Sequence, residues 1–261
     1  MKILSLLILL NVQLFSQNAK LDSLKKLYQK APEDTTKANL LIEISRAYLY
    51  DFNDRGAIQT FSEKNLNLSR KLNYKKGIAY SCNFLGIVSW GKGELDKALS
   101  YYKNALILMR EINDRNGESS CLVNIGYLYN DKNNYAEALR YMLKGTKIKE
   151  ELNDKRGMAI CYNNIGNIYL NQYNFKDAVV SHFKSLKIRE ELKDEAGIGS
   201  CYINIALVFE TQGKLDEARI NYEKALSFLL KVGDKPGIGT ALNGLGTIYY
   251  SKKQFEKALD Y

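Results

Sequence analysis

From about residue 38 to the end of the chain, apolar and polar positions recur every forty residues. The fullest copy reads Asn163-Asn164-Ile165-Gly166-Asn167-Ile168-Tyr169, with Ala178 nine residues beyond the tyrosine. One period upstream stand Ile125, Gly126, Tyr129 and Ala138; one downstream stand Ile205, Ala206, Phe209 and Ala218. A further step each way gives Leu245, Gly246, Tyr249 and Ala258, and Leu85, Gly86, Ser89 and Ala98. A weaker copy, offset by one residue, is Ile44, Ser45, Tyr48 and Ala57. Within one period, Ile160, Tyr162, Ile165, Ile168 and Tyr169 follow helical spacing and predict a helix A. Phe175, Ala178, Val179, His182, Leu186 and Ile188 predict a helix B, with Asn171-Gln172-Tyr173-Asn174 as the turn between them. Asp114, Asp154, Asp194 and Asp234 each stand just before an apolar-periodic run. A carboxylate there accepts from the free N–H groups of a helix start and faces the positive end of its dipole. Tyr74 holds that place in the first full repeat and predicts a weaker cap.

A pair of helices of this length cannot bury its apolar faces alone, so the repeats are expected to stack. The period divides the chain into repeats at 38–78, 79–118, 119–158, 159–198 and 199–238, with a shortened sixth at 239–261. Gly166 and Ala178 are read as the small residues that let helices A and B cross closely. Ahead of the array, Leu21, Leu24, Leu27 and Tyr28 predict a short amphipathic helix within 18–37, broken by Ala31-Pro32-Glu33-Asp34. Residues 1–17, with Lys2, an apolar run from Ile3 to Leu10 and a polar end at Phe15-Ser16-Gln17, have the layout of a secretory signal. The run is too short for a spanning helix, which needs about 20 apolar residues. The expected location is therefore outside the inner membrane, periplasmic or anchored through a part beyond Tyr261. Tyr261 falls inside helix B of the sixth repeat, which leads us to expect a longer parent protein or association through an uncapped end.

The order Leu or Ile, Gly or Ala, an aromatic three on and Ala nine further resembles the tetratricopeptide repeat. Tyr102, Met142, His182 and Tyr222 fill the next position of that pattern. The period departs from the usual length of about 34 residues. Forty-residue units resemble those of the Leu-Gly-Asn-type (Pins-like) proteins and kinesin light chains. The export segment and style of repeat are also similar to N-terminal sensor regions of tetratricopeptide histidine kinases and regulators from Bacteroidetes-type bacteria. The resemblance implies an all-α, right-handed superhelical solenoid of stacked antiparallel helix pairs, with the helix A series lining a concave groove. Groove residues implied in this way include Trp90, Tyr127, Asn130, Asn163, Asn167 and Tyr250.

One step from that lining runs a row of asparagines, Asn124, Asn164 and Asn204. In forty-residue relatives such a row holds the backbone of a ligand, and an amide both donates and accepts. Bonding within the array is the other reading, and the sequence leaves both open. The groove lacks the Lys and Arg set that clamps a terminal carboxylate in chaperone-binding relatives.

Charge changes little. The chain carries 38 Lys and Arg against 29 Asp and Glu, a net +9, but most of the excess precedes residue 79. The array itself lacks the continuous basic stripe of a nucleic-acid binder, so nucleic acid is not an expected partner. Cys121, Cys161 and Cys201 share one repeat position, and Cys82 is one residue off it. Stacked helices lie about 8–10 Å apart, beyond the reach of about 7 Å that a disulfide allows, so free packing thiols are expected. His182, the sole histidine, occupies a core slot of helix B. Gly91-Lys92-Gly93 lacks the rest of a phosphate loop. No metal site, cofactor or catalytic constellation emerges. The expected function is a protein- or peptide-binding scaffold. The alternatives are the extracytoplasmic sensor part of a longer signalling protein (kinase, cyclase or transcriptional regulator) and an envelope assembly factor.

Overall fold

The computed structural model describes residues 18–261; the expected export segment at 1–17 lies outside the described residues. A first helix, α1, spans 18–30. It is followed by α2 (Thr35–Ala47), a π-helical turn (Tyr48–Phe52), α3 (Arg55–Lys71), α4 (Lys75–Gly91), α5 (Leu95–Glu111) and α6 (Arg115–Asp131). These belong to one compact unit that ends at Lys132. A second unit, from Asn133, holds α7 (Tyr135–Glu151), α8 (Lys155–Asn171), α9 (Phe175–Glu191), α10 (Glu195–Thr211), α11 (Leu215–Val232), α12 (Lys235–Ser251) and α13 (Phe255–Leu259). Among the described residues there is no strand, and consecutive helices pack as antiparallel pairs. Even-numbered helices from α2 on are the A series and odd-numbered ones from α3 on the B series.

The A helices start where the capping residues stop the preceding turn. The side chains of Asp114, Asp154, Asp194 and Asp234 each accept from the backbone N–H three residues on, at 2.8, 2.9, 3.0 and 3.3 Å. That partner is a glycine every time. A Cβ built on Gly157 would lie 2.5 Å from the Asp154 carboxylate and 2.7 Å from the Lys149 stem, so the recurrent glycine clears the space the cap occupies. Tyr74, as its residue type predicts, makes no side-chain cap bond. Its hydroxyl donates instead to Asn39 Oδ1 at 2.8 Å.

At the pair crossing, a Cβ on Gly86 would meet the Tyr102 ring at 2.5 Å, and one on Gly166 the His182 ring at 2.6 Å. Ala98 and Ala178 are fully buried. The core of the second unit runs through Leu186, Ile198, Cys201 and Ile205, then through Ala206, Tyr222, Leu229, Leu245 and Ile248. In the first unit α1 closes the near end, with Leu21 packed on Ile44 and Ala47. All four cysteines are buried and free, and burial pushes their thiols above the ordinary range.

The first repeat corrects one sequence reading. Ile58, not Ala57, takes the buried slot of helix B, and Ala57 is only half-buried. Ser62 Oγ donates to Ser45 Oγ at 3.3 Å, a buried contact seventeen residues apart. In the next repeat the matching approach, Gly86 to Tyr102, spans sixteen. The additional residue is housed in the π-helical turn Tyr48–Phe52, which ends on left-handed Asn53. A π-turn inserts one residue without breaking a helix. So α2 is shifted by one residue while α3 returns to the forty-residue register.

Candidate functional site

The A-helix series carries most of the side chains expected to meet a ligand, and each compact unit arranges them differently. In the first unit α4 and α6 bring Trp90 and Tyr127 together, half-buried, with stacked rings 6.1 Å apart and 26° from parallel. The indole Nε1–H donates to Asp131 Oδ2 at 2.6 Å. Asp131 closes α6 one turn beyond Tyr127 and is exposed. Asn124 donates through Nδ2 to Asn83 Oδ1 at 3.0 Å, and the Cys121 thiol points at the same oxygen at 3.7 Å. Asn130 is half-buried on the last turn of α6.

In the second unit Asn204 Nδ2 donates to Asn163 Oδ1 at 2.7 Å. His182 Nδ1 lies 3.2 Å from the same oxygen. With that oxygen acting as acceptor, the imidazole must donate through Nδ1, which leaves Nε2 as a buried acceptor without a protein partner. Burial holds the imidazole pKa down at about 4. The ring is therefore neutral at ordinary pH and fills the crossing beside Gly166. Asn164 is buried, and its Nδ2 has no partner among the described residues. In sequence the two bonded asparagine pairs are 41 residues apart, and the position 41 before Asn164 holds Val123. Asn167 is half-buried on α8. Tyr250 is 65% exposed and meets Phe255 edge-on with ring centroids 5.5 Å apart. Leu207 stands exposed on α10. Glu210, on the same helix, accepts from the Tyr222 hydroxyl at 2.7 Å.

The structure thus brings together Trp90 with Tyr127, and Asn163 with Asn204. It leaves Asn164 apart from that bonded pair and Tyr250 on its own aromatic edge. Sequence reasoning missed Asp131 and the partnership of His182 with Asn163. The signal for the first was available: Asp131 lies 41 residues after Trp90, the same offset that pairs the asparagines. Among the described residues no group of three His, Cys, Asp or Glu side chains is placed to hold a metal ion. No helix among them is long and apolar enough to cross a membrane.

A family model described as tetratricopeptide repeat matches residues 77–151 and 157–231. No curated protein matches the chain. Among solved structures the chain is similar to BtubC (BKLC) from P. vanneervenii, at 17% identity and a TM-score of 0.65, covering 86% of this chain and 92% of that one. It is similar to a signal-transduction ATPase with numerous domains that carries a tetratricopeptide repeat sensor, from Pyrococcus horikoshii. There the identity is 15% and the TM-score 0.70, and the match covers 91% of this chain but only 37% of the other. Aspartyl phosphate phosphatase F from Bacillus subtilis gives 16% identity and a TM-score of 0.69, covering 95% and 67%. At such identities these likenesses establish the fold.

Proposed function

The chain belongs to the tetratricopeptide repeat family, and on that premise we propose that it is a non-catalytic scaffold that docks a protein or peptide segment on its A-helix face. The observation that carries this reading is the stacked pair Trp90 and Tyr127. Two large aromatic side chains are left half-open on adjacent A helices, with their rings stacked on each other. Half-open aromatics offer large contact area at low cost in lost freedom, and such residues dominate binding energy at interfaces. Leu207 and Tyr250 offer the same kind of surface in the second unit.

The asparagines divide between two roles on this reading. Asn83, Asn124, Asn163 and Asn204 bond one A helix to the next. Asn164 is buried with its amide Nδ2 closed to solvent, so it packs within its unit and does not meet a ligand. The test is to select binders to the full chain from a random peptide library and to measure their affinity for the double variant Trp90→Ala, Tyr127→Ala. Loss of about 2 kcal/mol, roughly thirtyfold in Kd, is the scale expected of an aromatic anchor. Retention of full affinity by the variant sinks the proposed anchors.

A second reading gives the scaffold a sensory task within a longer signalling protein. It draws on the likeness to an ATPase whose tetratricopeptide repeats are described as its sensor, of which the chain spans little more than a third. Export through residues 1–17 belongs with either reading, and N-terminal sequencing of the protein recovered outside the inner membrane tests it.

A further inference from the structure

We propose that Trp90, Tyr127 and Asp131 form a receptor for one cationic side chain of the docked partner, an arginine before a lysine. The inference rests on the docking role of the A-helix face and adds the chemistry that face selects. Asp131 is exposed, and its described bond is the one it accepts from the Trp90 indole at 2.6 Å. That bond engages one oxygen and leaves the carboxylate's charge and its remaining lone pairs toward solvent. Cations on the same edge are committed elsewhere. Arg55 donates to the Gly91 carbonyl at 3.0 Å, Lys92 to Gln59 at 2.7 Å and Lys132 to Asp96 at 2.6 Å. Among the described residues no cation pairs with Asp131.

A neutral acceptor would suffice to orient the indole, so orientation alone does not call for a carboxylate. The indole and phenol faces beside it attract cations through their quadrupoles, within about 6 Å of a ring centroid. A guanidinium is suited to both neighbours at once. It is planar and weakly hydrated, so it lies on an aromatic face, and its fork of N–H groups meets a carboxylate edge-on. An ammonium satisfies the charge without the stacking. The seat is small and fully contained in the first compact unit, on α4 and α6.

Trp90 is the only tryptophan of the chain, so its fluorescence reports on this seat alone. The experiment titrates the full chain with N-acetyl-arginine-methylamide and, in parallel, with its uncharged isostere N-acetyl-citrulline-methylamide. The arginine compound should give a saturable change that added salt weakens, and the citrulline compound none. Asp131→Asn still offers the indole N–H an acceptor while removing the charge, and it should weaken arginine binding by about fivefold to tenfold. No saturable response to arginine, an equal response to citrulline, or unchanged binding by Asp131→Asn overturns the proposal. Library-selected peptides separate it from the docking role beneath it. Binders that lack basic residues and bind Asp131→Asn as tightly as the natural chain overturn the cation seat alone. A library that yields no peptide on the A-helix face overturns docking, and the seat with it.

Discussion

At the scale of the residue, His182 is the side chain whose chemistry the fold alters most. It fills a crossing that Tyr102 and Tyr222 fill elsewhere, and it is completely buried. Its pKa falls from an ordinary 6.5 to about 4 because burial disfavours the imidazolium. The direction of the linkage follows. Between pH 6.5 and 4 the unfolded chain binds the proton and the folded chain does not, so stability present above pH 6.5 is lost as pH falls toward 4. The loss amounts to something on the order of 3 kcal/mol. His182→Met, which places the residue of the Met142 position in this slot, should fold and should lose that component of acid sensitivity. Melting curves of both proteins at pH 7 and pH 4.5 check this, since carboxylate titration is common to the two. An equal drop in Tm for both would contradict the assignment.

The asparagines show how much of the residue scale was legible. Reading down a column of the repeat groups Asn124, Asn164 and Asn204 as equivalents. The structure couples along the diagonal instead, Asn83 with Asn124 and Asn163 with Asn204, because side chains of adjacent A helices meet at an offset of 41 residues. A period shows which residues share an environment; it does not show which of them touch. That is also why Asp131, a diagonal partner of Trp90, escaped notice while Trp90 itself did not.

At the scale of the element, the sequence was most informative where one interaction decides the outcome. The aspartates that precede α6, α8, α10 and α12 cap those helices, and the backbone N–H of the glycine in the third helical position donates each bond. Asp154 also holds Lys149 at 2.8 Å, tying the cap to the end of the preceding helix. Asp154→Ala should therefore lower stability by about 1 kcal/mol and speed amide exchange in the first turn of α8, with Asp154→Asn costing less. Urea unfolding measures the first effect and residue-resolved exchange the second. Equal stability of Asp154→Ala and the natural chain would show that the cap bond adds nothing. What the sequence concealed was the π-helical turn at Tyr48–Phe52. Its one-residue insertion shifts α2 but not α3, so the repeat read as a weaker copy offset by one residue throughout, Ala57 included, rather than as a local bulge. Tyr173 is a smaller surprise of the same kind. It holds the left-handed turn position, φ 58°, that Asn133 and Gly213 hold in the neighbouring repeats, and it stands exposed beside Phe175.

At the scale of the whole molecule, the forty-residue period was enough for an all-α array of stacked pairs because each pair in such an array touches only its neighbours. Local pattern and global fold then carry the same information. Function does not follow in that way. Fold and site are separate questions, and the likenesses to known structures, all below 20% identity, speak to the first. The balanced charge of the array and its half-open aromatic pair on the A helices are what favour a protein partner. The most direct test of that account is hydrogen exchange of the full chain with and without a peptide selected from a random library. Binding should slow exchange in A helices, α4 and α6 first among them, and leave the B helices α5, α7, α9 and α11 unchanged. Protection confined to the B helices, with α4 and α6 exchanging as in the free protein, would contradict docking on the A-helix face.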